Sequence, residues 1–80
     1  MEERAMIERH LASAELHVVK AERHVEKQPE LLTLLERDGH ESAAALAREL
    51  LATFEDTLAA HAEDRDRLRA ELAVVMLSPP

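Results

Sequence analysis

Between residues 8 and 28 the chain repeats itself every seventh position, as Glu8-Arg9-His10-Leu11, Glu15-Leu16-His17-Val18 and Glu22-Arg23-His24-Val25. A heptad that puts Leu11, Val18, Val25 and Leu32 at its first core position (a) puts Ile7, Ala14, Ala21, Gln28 and Leu35 at its second (d). That is a narrow apolar seam of the coiled-coil kind, with Glu at the e flank and His at the g flank. A second seam is cleaner. It runs through Ala44, Ala47, Leu51, Phe54, Leu58, His61, Arg65, Leu68, Leu72 and Val75 without a slip, and only His61 and Arg65 in it are polar.

These seams predict two long helices. Glu2 and Glu3 suit the positive end of a helix dipole, Arg37 suits the negative end, and Gly39 supplies the left-handed stop, so the first helix is expected over about 2–38. After a turn over about 39–41 the second is expected over about 42–76, with Ser42 as its cap and Ser78-Pro79-Pro80 as its terminator. Pro29 interrupts the first helix, because it lacks the amide that would bond the Val25 carbonyl and its ring crowds that turn. The seam continues in register through Leu32 and Leu35. The pattern therefore predicts a kink at Pro29 rather than a separate short helix over 30–38.

Centring the turn on Gly39 folds the helices into an antiparallel two-helix hairpin, coiled-coil-like, forming a single domain over 1–80. Core layers then pair Leu35 with Ala44, Leu32 with Ala47, Val25 with Phe54, Ala21 with Leu58, Val18 with His61, Leu11 with Leu68 and Ile7 with Leu72. Large residues mostly face small ones, as interdigitated packing requires. On the g flank His24 falls near Thr57, His17 near Asp64 and His10 near Glu71.

Composition supports an all-α fold: Phe54 is the single aromatic and Gly39 the single glycine in a chain rich in Ala, Leu, Glu and Arg. Eighty residues without a cysteine leave a thin core with neither disulfide nor thiolate zinc site to supplement it. Further apolar residues lie off the seams, notably Ala12, Leu16 and Val19 on the first helix and Leu46 and Leu50 on the second. The simplest use for them is an interface with a second copy, giving a homodimeric four-helix bundle, or docking on another helical protein. Seventeen acidic against ten basic residues, a net charge of −7, disfavour nucleic acid and anionic membrane surfaces as partners. The charged N-terminal segment lacks the apolar run of a secretory signal and no later stretch reaches membrane-spanning length, so the expected location is the cytoplasm.

Histidines one heptad apart are separated by about 10.5 Å along a helix, too far for neighbours to share an ion. Across the helices, however, the derived register brings His17, His61 and Asp64 into one neighbourhood, a candidate zinc site of three N/O ligands. The same flank could respond to pH, since histidines beside Asp64 and Glu71 gain salt bridges as pH falls towards about 6. Against both stands the simpler reading, in which His61 is a core histidine and the flanking rings cover the seam. The run Glu63-Asp64-Arg65-Asp66-Arg67-Leu68-Arg69 alternates in sign and reads as a solvated, salt-bridged face, with Arg65 extending over Ala14 towards water or Glu15. No hydroxyl among Ser13, Thr33, Ser42, Thr53, Thr57 and Ser78 sits in a nucleophile motif, and no enzymatic activity or bound cofactor is expected.

The repeated Glu-Arg-His at 8–10 and 22–24, the turn Leu35-Glu36-Arg37-Asp38-Gly39-His40 and the segment His61-Ala62-Glu63-Asp64-Arg65-Asp66-Arg67-Leu68 resemble a group of short uncharacterised histidine-heptad helical-hairpin proteins of alphaproteobacteria. The resemblance covers most of the chain. It implies that His40, His61 and the heptad repeat belong to a family pattern, from which Pro29 departs, and it implies no activity. The sequence thus reads as a self-assembling structural or protein–protein interaction module. The alternative reading is a metal-binding or pH-responsive regulator using His17, His61 and Asp64.

Overall fold

The computed structural model describes residues 2–77 and contains two helices, α1 (Glu2–Arg37) and α2 (Glu41–Leu77), packed on each other as a hairpin. The molecule is a rod of 64 × 14 × 13 Å. Among the described residues there is no strand. The predicted terminator Ser78-Pro79-Pro80 lies outside the described residues.

The two heptad seams are the line of burial. Ile7, Ala14, Val18, Ala21, Ala44, Ala47 and Leu68 are buried, and every other predicted seam residue from Ile7 onward is half-buried. Off the seams, among the described residues, only Ala62 and Asp64 are less than exposed. The register follows the predicted layers: Leu11 and Leu72 pack on the cluster of Ile7, Ala14 and Leu68, the His17 ring meets His61, and the His24 ring meets Phe54. Four of the seven buried residues are alanines, which let the helices approach closely but bury little apolar surface. Full burial of a Val, Leu or Ile contributes about 1.5–3 kcal/mol, and only Ile7, Val18 and Leu68 supply it here.

The turn is tighter than its sequence suggested. The Gly39 amide donates to the Glu36 carbonyl at 3.2 Å and the His40 amide to the Leu35 carbonyl at 2.9 Å, the paired bonds of a Schellman stop. Gly39 holds φ at 75°, which a side chain disfavours. The His40 carbonyl then accepts from the Ala44 amide at 2.8 Å, so His40 stands at the cap position and Ser42 falls inside the first turn. The expectation of Ser42 as cap is therefore corrected: the Schellman stop places the cap of α2 two residues earlier, at His40. Nothing lies within 4 Å of a β-carbon built on Gly39, so Gly39→Ala tests backbone conformation alone. It is expected to destabilise the hairpin by about 1 kcal/mol in thermal denaturation, and a larger loss would point to a contact that the turn geometry does not contain.

α1 is continuous across Pro29, so a separate short helix over 30–38 does not form. Proline brings no amide to the Val25 carbonyl. One turn later Thr33 donates its hydroxyl to the Pro29 carbonyl at 2.9 Å. Beside it, Gln28 places Oε1 in the interior without a hydrogen-bond partner.

Candidate functional site

Because heptad positions flank the seam in a fixed order, the rod has two unlike sides. The histidine side presents His10, His17, His24 and Leu31 from α1 beside Leu50, Thr57, Asp64 and Glu71 from α2. The glutamate side presents Glu8, Glu15, Glu22 and Glu36 beside Glu41, Arg48, Glu55 and Arg69. Shallow hollows on each side confirm the assignment. His10, Ser13 and His17 share one with Asp64 and Arg67, whereas Glu36 and Glu41 share another with Arg48, whose Nη2 donates to Glu36 at 2.9 Å.

An apolar groove of about 300 Å³ lies at mid-rod on the histidine side. His17, Lys20, His24, Phe54, Thr57 and His61 line it. Its two ends are ring contacts: His24 stacks on Phe54 with centroids 5.2 Å apart and planes inclined by 19°, and His17 meets His61 at 5.0 Å and 39°. The groove exists because a and d side chains here are short on α1, where Ala21 lies at its floor, while the g-flank rings stand up on either hand.

Of the three predicted metal ligands, the fold brings His17 and His61 together but gives Asp64 other work. Arg67 sits within one turn of both Asp64 and Glu71, and its guanidinium donates to the first at 2.6 Å and to the second at 2.7 Å. Those hydrogen bonds, Asp64 first, hold the Arg67 guanidinium above its ordinary pKa. Among the described residues no group of three His, Asp or Glu side chains is placed to hold a metal ion. Nor, among them, does a histidine pair with a carboxylate: Arg67 stands where His10 and His17 were expected to find Glu71 and Asp64. Arg67 was the residue that sequence reasoning missed. Its signal was present, since spacings of three and four from Asp64 and Glu71 make intrahelical pairing closer than any cross-helix partner.

Of the two destinations expected for the Arg65 guanidinium, water or Glu15, Glu15 is not taken: its Nε donates to Asp66 at 3.0 Å in an exposed bond. The alternating run around it is otherwise the ion-paired face predicted, with Arg69 4.0 Å from Asp66.

The predicted interface residues Ala12, Leu16, Val19, Leu46 and Leu50 are all exposed, but they do not form one surface. Leu46 and Leu50 stand on the histidine side. Leu16 lies on the outer edge of α1, and Ala12 and Val19 lie round towards the glutamate side. No helix among the described residues is long and apolar enough to cross a membrane. No protein-family model, curated protein or solved structure matches the chain.

Proposed function

We propose that the protein is a non-catalytic structural or interaction module, a helical hairpin kinked at Pro29 that pairs with a second copy into a four-helix bundle. The observation that carries this reading is the imbalance between its core and its surface. Among the described residues seven are buried, four of them alanine, while Leu16, Val19, Leu31, Leu34, Leu46 and Leu50 remain exposed. A single seam between two helices is seldom sufficient in water, and apolar side chains left out of it are the material of a second interface.

The contact between the imidazoles of His17 and His61 favours a second reading. Two neutral rings could supply nitrogen ligands to zinc, with the third ligand drawn from outside this chain because Asp64 is engaged by Arg67. Sedimentation equilibrium at neutral pH, in chelator and then in zinc, separates the two. A mass of twice 9.0 kDa in chelator is expected. A monomer in chelator that associates only on adding zinc would reject metal-free self-assembly and promote the histidine pair, and a monomer under both conditions would reject both readings.

A further inference from the structure

We infer that the second copy docks on the turn-proximal half of the histidine side, leucine patch on leucine patch, with the two turns at the same end of the bundle. The inference rests on the self-assembly reading above and specifies its surface and orientation.

Area comes first. The chain exposes 6114 Å², whereas a compact monomer of 9.0 kDa would expose about 4,900 Å². The excess of about 1,200 Å² exceeds the ~800 Å² per partner that a stable interface typically covers. A second copy can therefore bury what this rod leaves open.

Charge selects the side. From Lys20 to Leu34 on α1 and from Leu46 to Thr57 on α2, the histidine side carries no carboxylate. Over the same length the glutamate side carries Glu22, Glu26 and Glu55, with Arg48 as its only cation among the described residues. Two copies of a chain of net charge −7 repel each other, and the contact that brings fewest carboxylates together lies on the histidine side. The outer stripe through Leu16 and Val19 is flanked by Glu15 and Glu22 and lacks this advantage.

Shape selects the orientation. Leu31 (46% exposed) and Leu34 (49%) stand three apart on α1, and Leu46 (57%) and Leu50 (43%) stand four apart on α2. In the hairpin register Leu31 lies across from Leu50 and Leu34 across from Leu46, so the patch reads the same when the helices are exchanged. A twofold axis along the rod makes that exchange. It lays α1 of one protomer over α2 of the other and sets Leu31 and Leu34 against the partner's Leu50 and Leu46, an isologous contact. With turns at opposite ends and the rods overlapping along their full length, the leucines would instead cover the partner's Asp64, Arg67 and Glu71, whose charges would lose water without gaining new bonds; offset to bring the leucines together, such a pair would cover only half of each rod.

Sedimentation equilibrium on three chains, each checked for helicity by circular dichroism, tests the surface. Wild type is expected at twice 9.0 kDa, Leu31→Glu/Leu50→Glu at 9.0 kDa, and Leu16→Glu/Val19→Glu unchanged from wild type. A monomeric wild type would remove the self-assembly reading itself. A dimeric wild type whose mass survives Leu31→Glu/Leu50→Glu, or is halved by Leu16→Glu/Val19→Glu, would leave that reading standing and overturn the inferred surface. The orientation is read independently, and without loss of charge balance, by mixing Leu34→Cys with Leu46→Cys chains under mild oxidation. The native chain has no cysteine. A mixed disulfide that outruns either self-disulfide supports turns at the same end, and predominance of a self-disulfide, or no cross-link, overturns it. The cross-link also decides the matter if the double glutamate chain fails to fold.

Discussion

Leu68→Ala is expected to lower stability by about 3 kcal/mol, within the range of ~2–5 kcal/mol for buried Leu→Ala changes. Leu68 is 5% exposed and joins Ile7 and Ala14 in the buried cluster on which Leu11, Leu72 and Val75 pack. Its removal costs the transfer energy of three carbons and leaves a gap that Ala14 across the seam is too small to fill. The lower half of the range is appropriate because two helices with solvent on both sides can close on a void more readily than a surrounded core. For a chain of this size one kilocalorie corresponds to roughly 4–8 °C in Tm, so the midpoint should fall by about 12–24 °C. Leu16→Ala, on the outer edge of α1, is the matched control and should stay within about 0.5 kcal/mol of wild type. Equal losses in the two variants would mean that the seam is not where burial places it. Because self-association couples Tm to concentration, the comparison is made at one chain concentration.

That the seam could be read at all follows from the geometry of a hairpin. Each helix has a single buried stripe, so burial and heptad periodicity report the same thing, and no third element competes for the register. The short turn then leaves little freedom: once Gly39 is recognised as the left-handed residue, Leu35 must face Ala44 and the remaining layers follow. What escaped was local. Ser42 looks like a cap by residue type, but the Schellman bonds from Gly39 and His40 had already turned the chain, leaving the cap to His40, whose side chain is not the usual one for the role.

The candidate site was legible in its neighbourhoods and not in its bonds. Heptad register brings His17 to His61 and His24 to the Thr57 region, because those placements depend only on backbone position. Which acceptor each side chain takes depends on competition, and there the nearer partner wins. Arg67 reaches Asp64 and Glu71 along its own helix with a delocalised charge and a planar fork of donors, whereas a histidine on the facing helix offers one ring nitrogen across a seam. The same competition governs Arg65 and Asp66, which are adjacent in sequence. A spacing search that asks which cation lies three or four residues from each carboxylate would have found Arg67 before proposing Asp64 as a ligand.

Pro29→Ala carries the largest expected gain. Proline in a helix interior is about 3 kcal/mol less favourable than alanine, because the Val25 carbonyl loses its intrahelical donor and the ring presses on the preceding turn. Proline also restricts the unfolded chain, an advantage of about 0.4–1 kcal/mol that the substitution gives up. The net expectation is stabilisation by about 2 kcal/mol and a rise in Tm of roughly 10 °C. The position is favourable for the test, since Pro29 is exposed and α1 continues helical on both sides of it, so alanine enters without a clash and supplies an amide where one is missing. Sedimentation on the same variant gives the result a second dimension. Pro29 lies between His24 and Leu31, within the length of the inferred dimer surface, and the proposed kink there would set the angle at which Leu31 and Leu34 meet a partner. A chain that becomes more stable but associates more weakly would show that the proline shapes the interface at the expense of the helix. Greater stability with unchanged association would make it a local defect only. An unchanged or lowered Tm would contradict the assigned cost, and would mean that the Val25 carbonyl is already compensated in the native helix.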